Sequence, residues 1–355
     1  MPTPRPAVNS TLARRLITAS LVPAAILIVP AAVGAAAPTL PSAANLANLA
    51  PSTTAAAAGT VVSARKAGVS GSIVFIKGHN VWIARGDGSH ARQVTKNGAR
   101  AHAYHSPSES DHGVIAVARG PLIIRMTQRG RVLDTINPPR LINTAGEAMD
   151  GAVNDVAISP NGRTIAWSYV RYSCPIGADC LTRYATGYTS ATHRSHAGRS
   201  TYYRAASWIG NGRTLQTGGY NSQVMLQDLK DDPRHWFDDH DYTFPSTDLA
   251  DGELSRNGHW LAEVRGYRAT SAIIWYRVTG NARKGAPPAV PRYTCYTNGE
   301  AAHASPTWSP DSTALAWAGK TGIWIKRNAG NCSSPAPRLA IRGGSSPDWS
   351  PARLR

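Results

Sequence analysis

The sequence predicts an all-β fold built from six repeated units, and three observations predict it. The first is composition. With 32 Gly and 25 Pro among 355 residues, and only 17% charged residues, the chain is rich in turn formers and poor in the Lys and Glu of helical proteins. The second is a recurring pair of short apolar stretches separated by a tight turn. The third is a turn signature, a large apolar residue followed by Ser-Pro and then Asp or Asn-Gly, that returns along the chain.

Residues 1–37 read as an export signal. Arg14 and Arg15 form the positive end, Leu16–Val33 the apolar stretch, and the small residues Ala31–Ala37 a cleavage region. Pro23 and Pro30 interrupt the stretch and favour cleavage over the alternative, a retained membrane anchor. No later stretch approaches the ~20 apolar residues that span a bilayer, so no transmembrane span is expected after signal cleavage. Residues 38–70, rich in Ala, Ser, Thr and Pro, read as a disordered tether. The mature chain is expected to be secreted, either extracellular or at the cell surface or periplasm.

The repeats begin at Gly71. Ile73-Val74-Phe75 precedes Val81-Trp82-Ile83 and then Asp87-Gly88. Ile115-Ala116-Val117 precedes Ile123-Ile124-Arg125 and then Arg129-Gly130. Leu315-Ala316-Trp317 precedes Ile323-Trp324-Ile325 and then Ala329-Gly330. Each is two strands joined by a tight turn, followed by a turn that needs glycine. The turn signature is cleanest at Trp308-Ser309-Pro310-Asp311 and Trp349-Ser350-Pro351. Variants are His105-Ser106-Pro107, Ile158-Ser159-Pro160-Asn161-Gly162, Trp208-Ile209-Gly210-Asn211-Gly212 and Leu254-Ser255-Arg256-Asn257-Gly258. They recur at intervals of roughly 41 to 54 residues, the length of one four-stranded blade.

Six markers give a six-bladed β-propeller of four-stranded antiparallel blades over residues 71–351, with 352–355 a short tail; five or seven blades, or a sandwich, are the alternatives. Gly71–Gly88 lacks a preceding marker and Asp348-Trp349-Ser350 lacks a following strand pair. One blade completed by both ends of the chain explains both gaps and removes the open edges. Ten Trp against three Phe then acquires a packing explanation. Trp82, Trp167, Trp208, Trp308, Trp317, Trp324 and Trp349 fall at repeat positions where a large ring packs between blades.

The stretch Pro306–Trp317, with Val156–Trp167 and Gly71–Gly88 as further matches, resembles the WD-like repeat of TolB-type β-propellers, shared with the propellers of prolyl-oligopeptidase-like proteins. Gly210 and Arg256 stand where that pattern has proline. The resemblance implies a propeller adaptor for protein partners. The helical amino-terminal domain of TolB and the hydrolase domain of the oligopeptidases have no counterpart in the sequence.

Four cysteines fit an oxidising compartment, with Cys174–Cys180 and Cys295–Cys332 the preferred of three pairings. A zinc site is the competing reading, but no Cys-x-x-Cys pair is present. The +17 charge comes from scattered arginines and sparse acids rather than a dense basic run, so no nucleic-acid partner is expected.

No Gly-x-Ser-x-Gly, His-Glu-x-x-His, phosphate loop or dinucleotide fingerprint occurs. The expectation is therefore a non-catalytic binding or scaffold propeller, a monomer recognising a protein or a cell-envelope glycan or anionic polymer. The alternative is a hydrolase or lyase, lactonase-like or glycan-cleaving, using metal or acid–base groups in the axial channel. Two irregular segments supply candidates. Tyr169–Arg204 interleaves aromatic rings with arginines, and Tyr172, Arg183, Tyr184, Tyr188, His193 and His196 are its ligand candidates. A long outer hairpin whose tyrosines cover the blade is the competing reading. In Asp231–Phe244, His235 and Trp236 are ligand candidates, while Asp238, Asp239, His240 and Asp241 are weak candidates for a divalent cation such as calcium. No cofactor is otherwise expected. Polar loop residues such as His79, Asn80, Asn154 and Asp155 are candidates for an axial channel.

Overall fold

The computed structural model describes residues 70–143, 146–174, 181–191, 203–218, 223–239, 249–266, 270–297 and 302–355. The leader, most of the tether, Cys180, His193, His196, His240 and Asp241 lie outside the described residues. Among the described residues no helix is long and apolar enough to cross a membrane.

Each unit is an antiparallel meander radiating from a common axis. Blade 1 contains β1 (Ser72–Lys77), β2 (Asn80–Arg85) and β3 (Arg92–Gln93). Blade 2 contains β4 (His105–Glu109), β5 (Val114–Arg119), β6 (Leu122–Thr127) and β7 (Val132–Ile136). A small hairpin, β8 (Leu141–Ile142) with β9 (Ala148–Met149), leads to blade 3: β10 (Val153–Ile158), β11 (Thr164–Ser173) and β12 (Leu181–Ser190). Blade 4 contains β13 (Arg204–Ile209), β14 (Arg213–Gly218), β15 (Gln223–Asp228) and β16 (Arg234–Asp238). Blade 5 contains β17 (Leu249–Leu254), β18 (Trp260–Arg265), β19 (Ala272–Arg277) and β20 (Arg292–Tyr296). Blade 6 contains β21 (Ala304–Trp308), β22 (Leu315–Gly319), β23 (Gly322–Lys326) and β24 (Arg338–Arg342).

The last strand, β25 (Ser345–Ser350), returns to blade 1 as its innermost strand, with Ile73 opposite Trp349 and Ser72 opposite Ser350. Both ends of the folded body therefore share one sheet, as the paired gaps in the sequence predicted. The six inner strands contact one another in a closed cycle, β4, β10, β13, β17, β21, β25 and back to β4. Five blades have four strands; blade 3 has three among the described residues.

The turn signature has a hydrogen-bonding reason. In Ser309-Pro310-Asp311, the serine hydroxyl donates to Asp311 at 2.5 Å and accepts from the amide of Ala314 at 2.8 Å. Ser159 with Asn161, and Ser255 with Asn257, make the same arrangement at 2.8 Å. The short side chains satisfy the turn amides and start the next strand. One marker moves. In blade 2 the turn serine is Ser110, whose hydroxyl accepts from Val114 N and whose carbonyl accepts from Gly113 N. Ser106-Pro107 lies inside β4 instead, where it matches Ser305-Pro306 and Ser346-Pro347 of the other inner strands.

Five of the six blade interfaces are apolar. Ile73, Phe75, Ala316, Ile323 and Trp349 pack blade 6 on blade 1, and Trp275, Trp308, Leu315 and Trp317 pack blade 5 on blade 6. Burying one such side chain contributes about 1.5–3 kcal/mol. Between blades 3 and 4 the buried groups are polar instead. Tyr188 OH meets Thr214 Oγ1 and Gln227 Oε1, both at 2.7 Å, and Gln216 Nε2 donates to the same tyrosine oxygen at 2.7 Å. A buried network of this kind is tolerated only when its members satisfy one another.

Candidate binding channel on the ring axis

All six inner strands carry a bulge that shifts their register against the second strand. In five, the bulge residue has a left-handed backbone: Ser106 (φ 47°), Ala205 (51°), Asp251 (47°), Ser305 (50°) and Ser346 (48°). The matching residue of blade 3 is Asp155. These residues, and those two positions later, line a central cavity of about 410 Å³. The first ring is thus Ser106, Asp155, Ala205, Asp251, Ser305 and Ser346. The second includes Ser108, Ala157, Ser207, Glu253 and Asp348.

Four carboxyl groups from blades 1, 3 and 5 consequently face one channel in a strongly basic protein. Each stays half-buried because the channel is open, yet protein surrounds it. Burial pushes the Asp251 carboxyl up to about 6, and the neighbouring charge of Asp155 adds to that. Glu253 rises to about 8, first through burial and then through Asp348. Asp348 rises to about 6 through burial, against the hydrogen bond from the Glu109 amide at 2.5 Å. Glu253 accepts from the Trp308 amide at 2.9 Å.

Two further acids stand behind the wall. Glu109 is buried, holds Ser72 Oγ at 2.6 Å and Gln128 Nε2 at 2.7 Å, and is pushed up to about 7 mainly by burial. It occupies the position that Trp308 and Trp349 fill in other blades. Glu263 is fully buried on β18, and neither carboxyl oxygen has a hydrogen-bond partner among the described residues. Burial, then the charges of Asp251 and Asp239, push it well above the usual carboxylate range. Its carboxyl lies where a side chain of residue 252 would be: a Cβ on Gly252 would stand 2.1 Å from it. A larger residue there would have to push the buried Glu263 carboxyl aside.

The mouth at the turn face is ringed by residues of the serine turns. Arg256 of blade 5 makes a two-pronged ion pair with Asp111 of blade 2 there, and Arg283 lies beside them. At the other face the β11–β12 hairpin runs past the start of β10, carrying Tyr172, which is 72% exposed. Arg204 lies over the Tyr184 ring at 4.9 Å and donates to its hydroxyl at 2.8 Å. Its charge reaches Asp251.

The residues singled out from sequence are therefore scattered. Arg183 pairs with Glu147 at 3.0 Å, close to the hairpin. Tyr188 is buried in the blade 3–4 network. Trp236 is buried against Phe237, in the core between blades 4 and 5. His235 is bonded to Asp238 at 2.9 Å. Asp239 is buried beside Arg265 at 2.7 Å, with Tyr276 OH at 3.2 Å, so Asp238 and Asp239 serve different partners. Among the described residues no group of three or more His, Cys, Asp or Glu is placed to hold a metal ion. His79 and Asn80 belong to the outer β1–β2 turn, not the axis; Asn80 accepts there from Gly98 N and Thr95 Oγ1. Asp155 does reach the channel. Sequence reasoning missed Asp251, Glu253 and Asp348, whose signal was an acid two or four positions before a turn serine.

Cys295 and Cys332 form a disulfide, and Cys174 is also disulfide-bonded. No protein-family model matches the sequence, and no match to a curated protein was found. Solved structures do match. The chain is similar to a functionally unknown protein from Desulfotomaculum acetoxidans, at 7% identity over 79% of this chain and 99% of that one, with a TM-score of 0.50. It is also similar to the periplasmic gluconolactonase PpgL of Pseudomonas aeruginosa, at 10% identity over 76% and 83% of the two chains, TM-score 0.45. A third is the β-propeller domain of Cps50 (Swd1) from Myceliophteria thermophila, at 11% identity over 78% and 88%, TM-score 0.46. Likeness at these identities concerns fold alone, and the six blades and their closed cycle of inner strands make the chain a six-bladed β-propeller.

Proposed function

We propose that this protein is an exported, non-catalytic binding propeller of TolB-like type, whose axial channel captures a cationic group of a protein or cell-envelope polymer. The observation that carries this reading is the convergence of Asp155, Asp251, Glu253 and Asp348 on one cavity. Half-buried carboxyls with few cationic neighbours gain most from a ligand that brings the missing charge. A lysine side chain or an amino terminus fits a cavity of this size. Export is supported by the Arg14–Ala37 leader and by the Cys295–Cys332 disulfide, which suits a secreted or periplasmic setting. Calorimetry with short peptides ending in Lys or Glu tests the reading. The lysine peptide should bind and the glutamate peptide should not, and the Glu253→Gln/Asp348→Asn double variant should lose the difference. Equal binding of both peptides would overturn it.

One observation favours a second reading, a hydrolase or lyase. Glu253 near 8 and Asp348 near 6 would stand protonated and ionised, respectively, around neutral pH. Separated values of this kind suit an acid–base pair. Turnover of a sugar lactone or an envelope glycan, lost in Glu253→Gln, would favour it over the binding role.

A further inference from the structure

A second cavity, of about 580 Å³, lies away from the axis between the outer parts of blades 5 and 6. Its volume is that of a small-ligand site. The Cys295–Cys332 disulfide fastens β20 of blade 5 to the loop following β23 of blade 6 and closes one side. The wall is aromatic: Trp275 and Trp317 are buried, Trp324 is partly buried, and Tyr293 and Tyr296 stand 36% and 44% exposed with ring centroids 6.3 Å apart.

Several buried N–H donors line this cavity. Trp275 Nε1 is satisfied by the Ala329 carbonyl at 2.9 Å. The indole N–H groups of Trp317 and Trp324 are buried with no acceptor among the described residues. Lys326, 1% exposed, donates to the Pro335 carbonyl at 2.8 Å and has no ion-pair partner among the described residues. A buried ammonium with a single neutral acceptor is incompletely compensated, as are two buried indole donors. Among the described residues the lining holds no carboxylate acceptor.

We propose that this cleft binds a ring-shaped carboxylate, its ring face lying on the tyrosine and tryptophan side chains and its carboxylate meeting Lys326. Stacking supplies the contact area, and the ion pair and indole donors supply orientation. A uronate residue of an acidic glycan and a free aromatic acid share this chemistry. The +17 charge favours approach of either. The inference stands apart from the axial reading, because the two cavities share no lining residue.

The test uses the full chain and its tryptophan fluorescence, with calorimetry as the second readout. The probes are a galacturonate oligomer and indole-3-acetate, with the neutral galactose oligomer and indole-3-ethanol as controls. At least one carboxylate should bind about tenfold more tightly than its neutral control, a difference of about 1.4 kcal/mol. Lys326→Met should abolish that preference, while Trp324→Phe, which keeps a ring but removes an N–H, should weaken binding. Tyr296→Ser, at an exposed position, should weaken binding without lowering the melting temperature, and covers the case in which Lys326→Met fails to fold. Glu253→Gln should leave it unchanged. Binding of the oligomer alone assigns a glycan source, and binding of indole-3-acetate alone a small aromatic acid. Absence of binding by both carboxylates, equal binding of the neutral controls, or an unaltered preference in folded Lys326→Met would overturn the proposal.

Discussion

Arg256 donates to both carboxylate oxygens of Asp111 across the mouth of the ring, at 2.6 and 3.1 Å. The two residues belong to blades 5 and 2, which stand opposite each other in the cycle of inner strands. The pair therefore forms a bar over the channel, with Glu253 and Asp348 behind it. Both side chains are about one-third exposed, 36% and 31%, so the pair contributes only ~0–1 kcal/mol to stability. Arg256→Gln should leave the melting temperature nearly unchanged. It removes a cation that competes with the ligand for Glu253 and Asp348, and at a pH high enough to ionise both carboxyls in either form it should tighten binding of a lysine-ended peptide about threefold to tenfold. Weaker binding in calorimetry would contradict the bar.

Stability should fall as the pH rises. Asp251 and Asp348 near 6, Glu109 near 7 and Glu253 near 8 hold their protons more tightly folded than unfolded. Their contribution is complete below the unfolded carboxylate values of about 4 and is lost as the pH passes through 6 to 8. The lowered values of Asp228 and Asp311 act in the opposite sense, below that window. Denaturant melts between pH 5 and 8.5 should show the decline, and a rise over that range would contradict it.

Gly252→Ala should destabilise the fold, because the new Cβ meets the Glu263 carboxyl. Overpacking of this kind costs about 1–3 kcal/mol. Glu263→Ala clears the space, so the double variant should be more stable than the sum of the two single changes predicts. Additive losses in urea melts would show that the two sites do not touch.

Ring closure can be tested at Trp349. Its backbone pairs with Ile73, its amide donates to Thr307 Oγ1 at 3.0 Å, and its indole donates to the Ser70 carbonyl at 3.0 Å. Trp349→Ala should cost about 3–5 kcal/mol. Removal of residues 345–355 should expose the inner edge of β1 and yield association or loss of a cooperative melt. An intact, monomeric, cooperative truncated chain would contradict closure.

The ring was legible in sequence because its turns have local chemistry. Ser159-Pro160-Asn161-Gly162 and Ser309-Pro310-Asp311 satisfy their own amides, and such hydrogen bonding leaves a fixed spacing of residue types. Blade 2 misled because Ser106-Pro107 is an inner-strand bulge that resembles the turn lying four residues later. The channel was much less legible. Asp155, Asp251, Glu253 and Asp348 come from blades 3, 5 and 1, and nothing local distinguishes an acid facing the axis from one in solvent. Tyr188 and Trp236 drew notice for their ring chemistry, and the fold spends both in its interior. The outer cleft depends on blades 5 and 6 packing side by side, which brings Tyr296 and Lys326 together only after folding.

The measurement that bears most directly on the axial channel is the pH dependence of its affinity for a lysine-ended peptide. Glu253, Asp348 and Asp251 lose protons between about 6 and 8 while the lysine stays charged. Calorimetric affinity should therefore rise from pH 5 to pH 8, and the rise should vanish in Glu253→Gln/Asp348→Asn. An affinity that is flat across this range, or that falls with pH, would show that the carboxyls on the axis do not receive the cation.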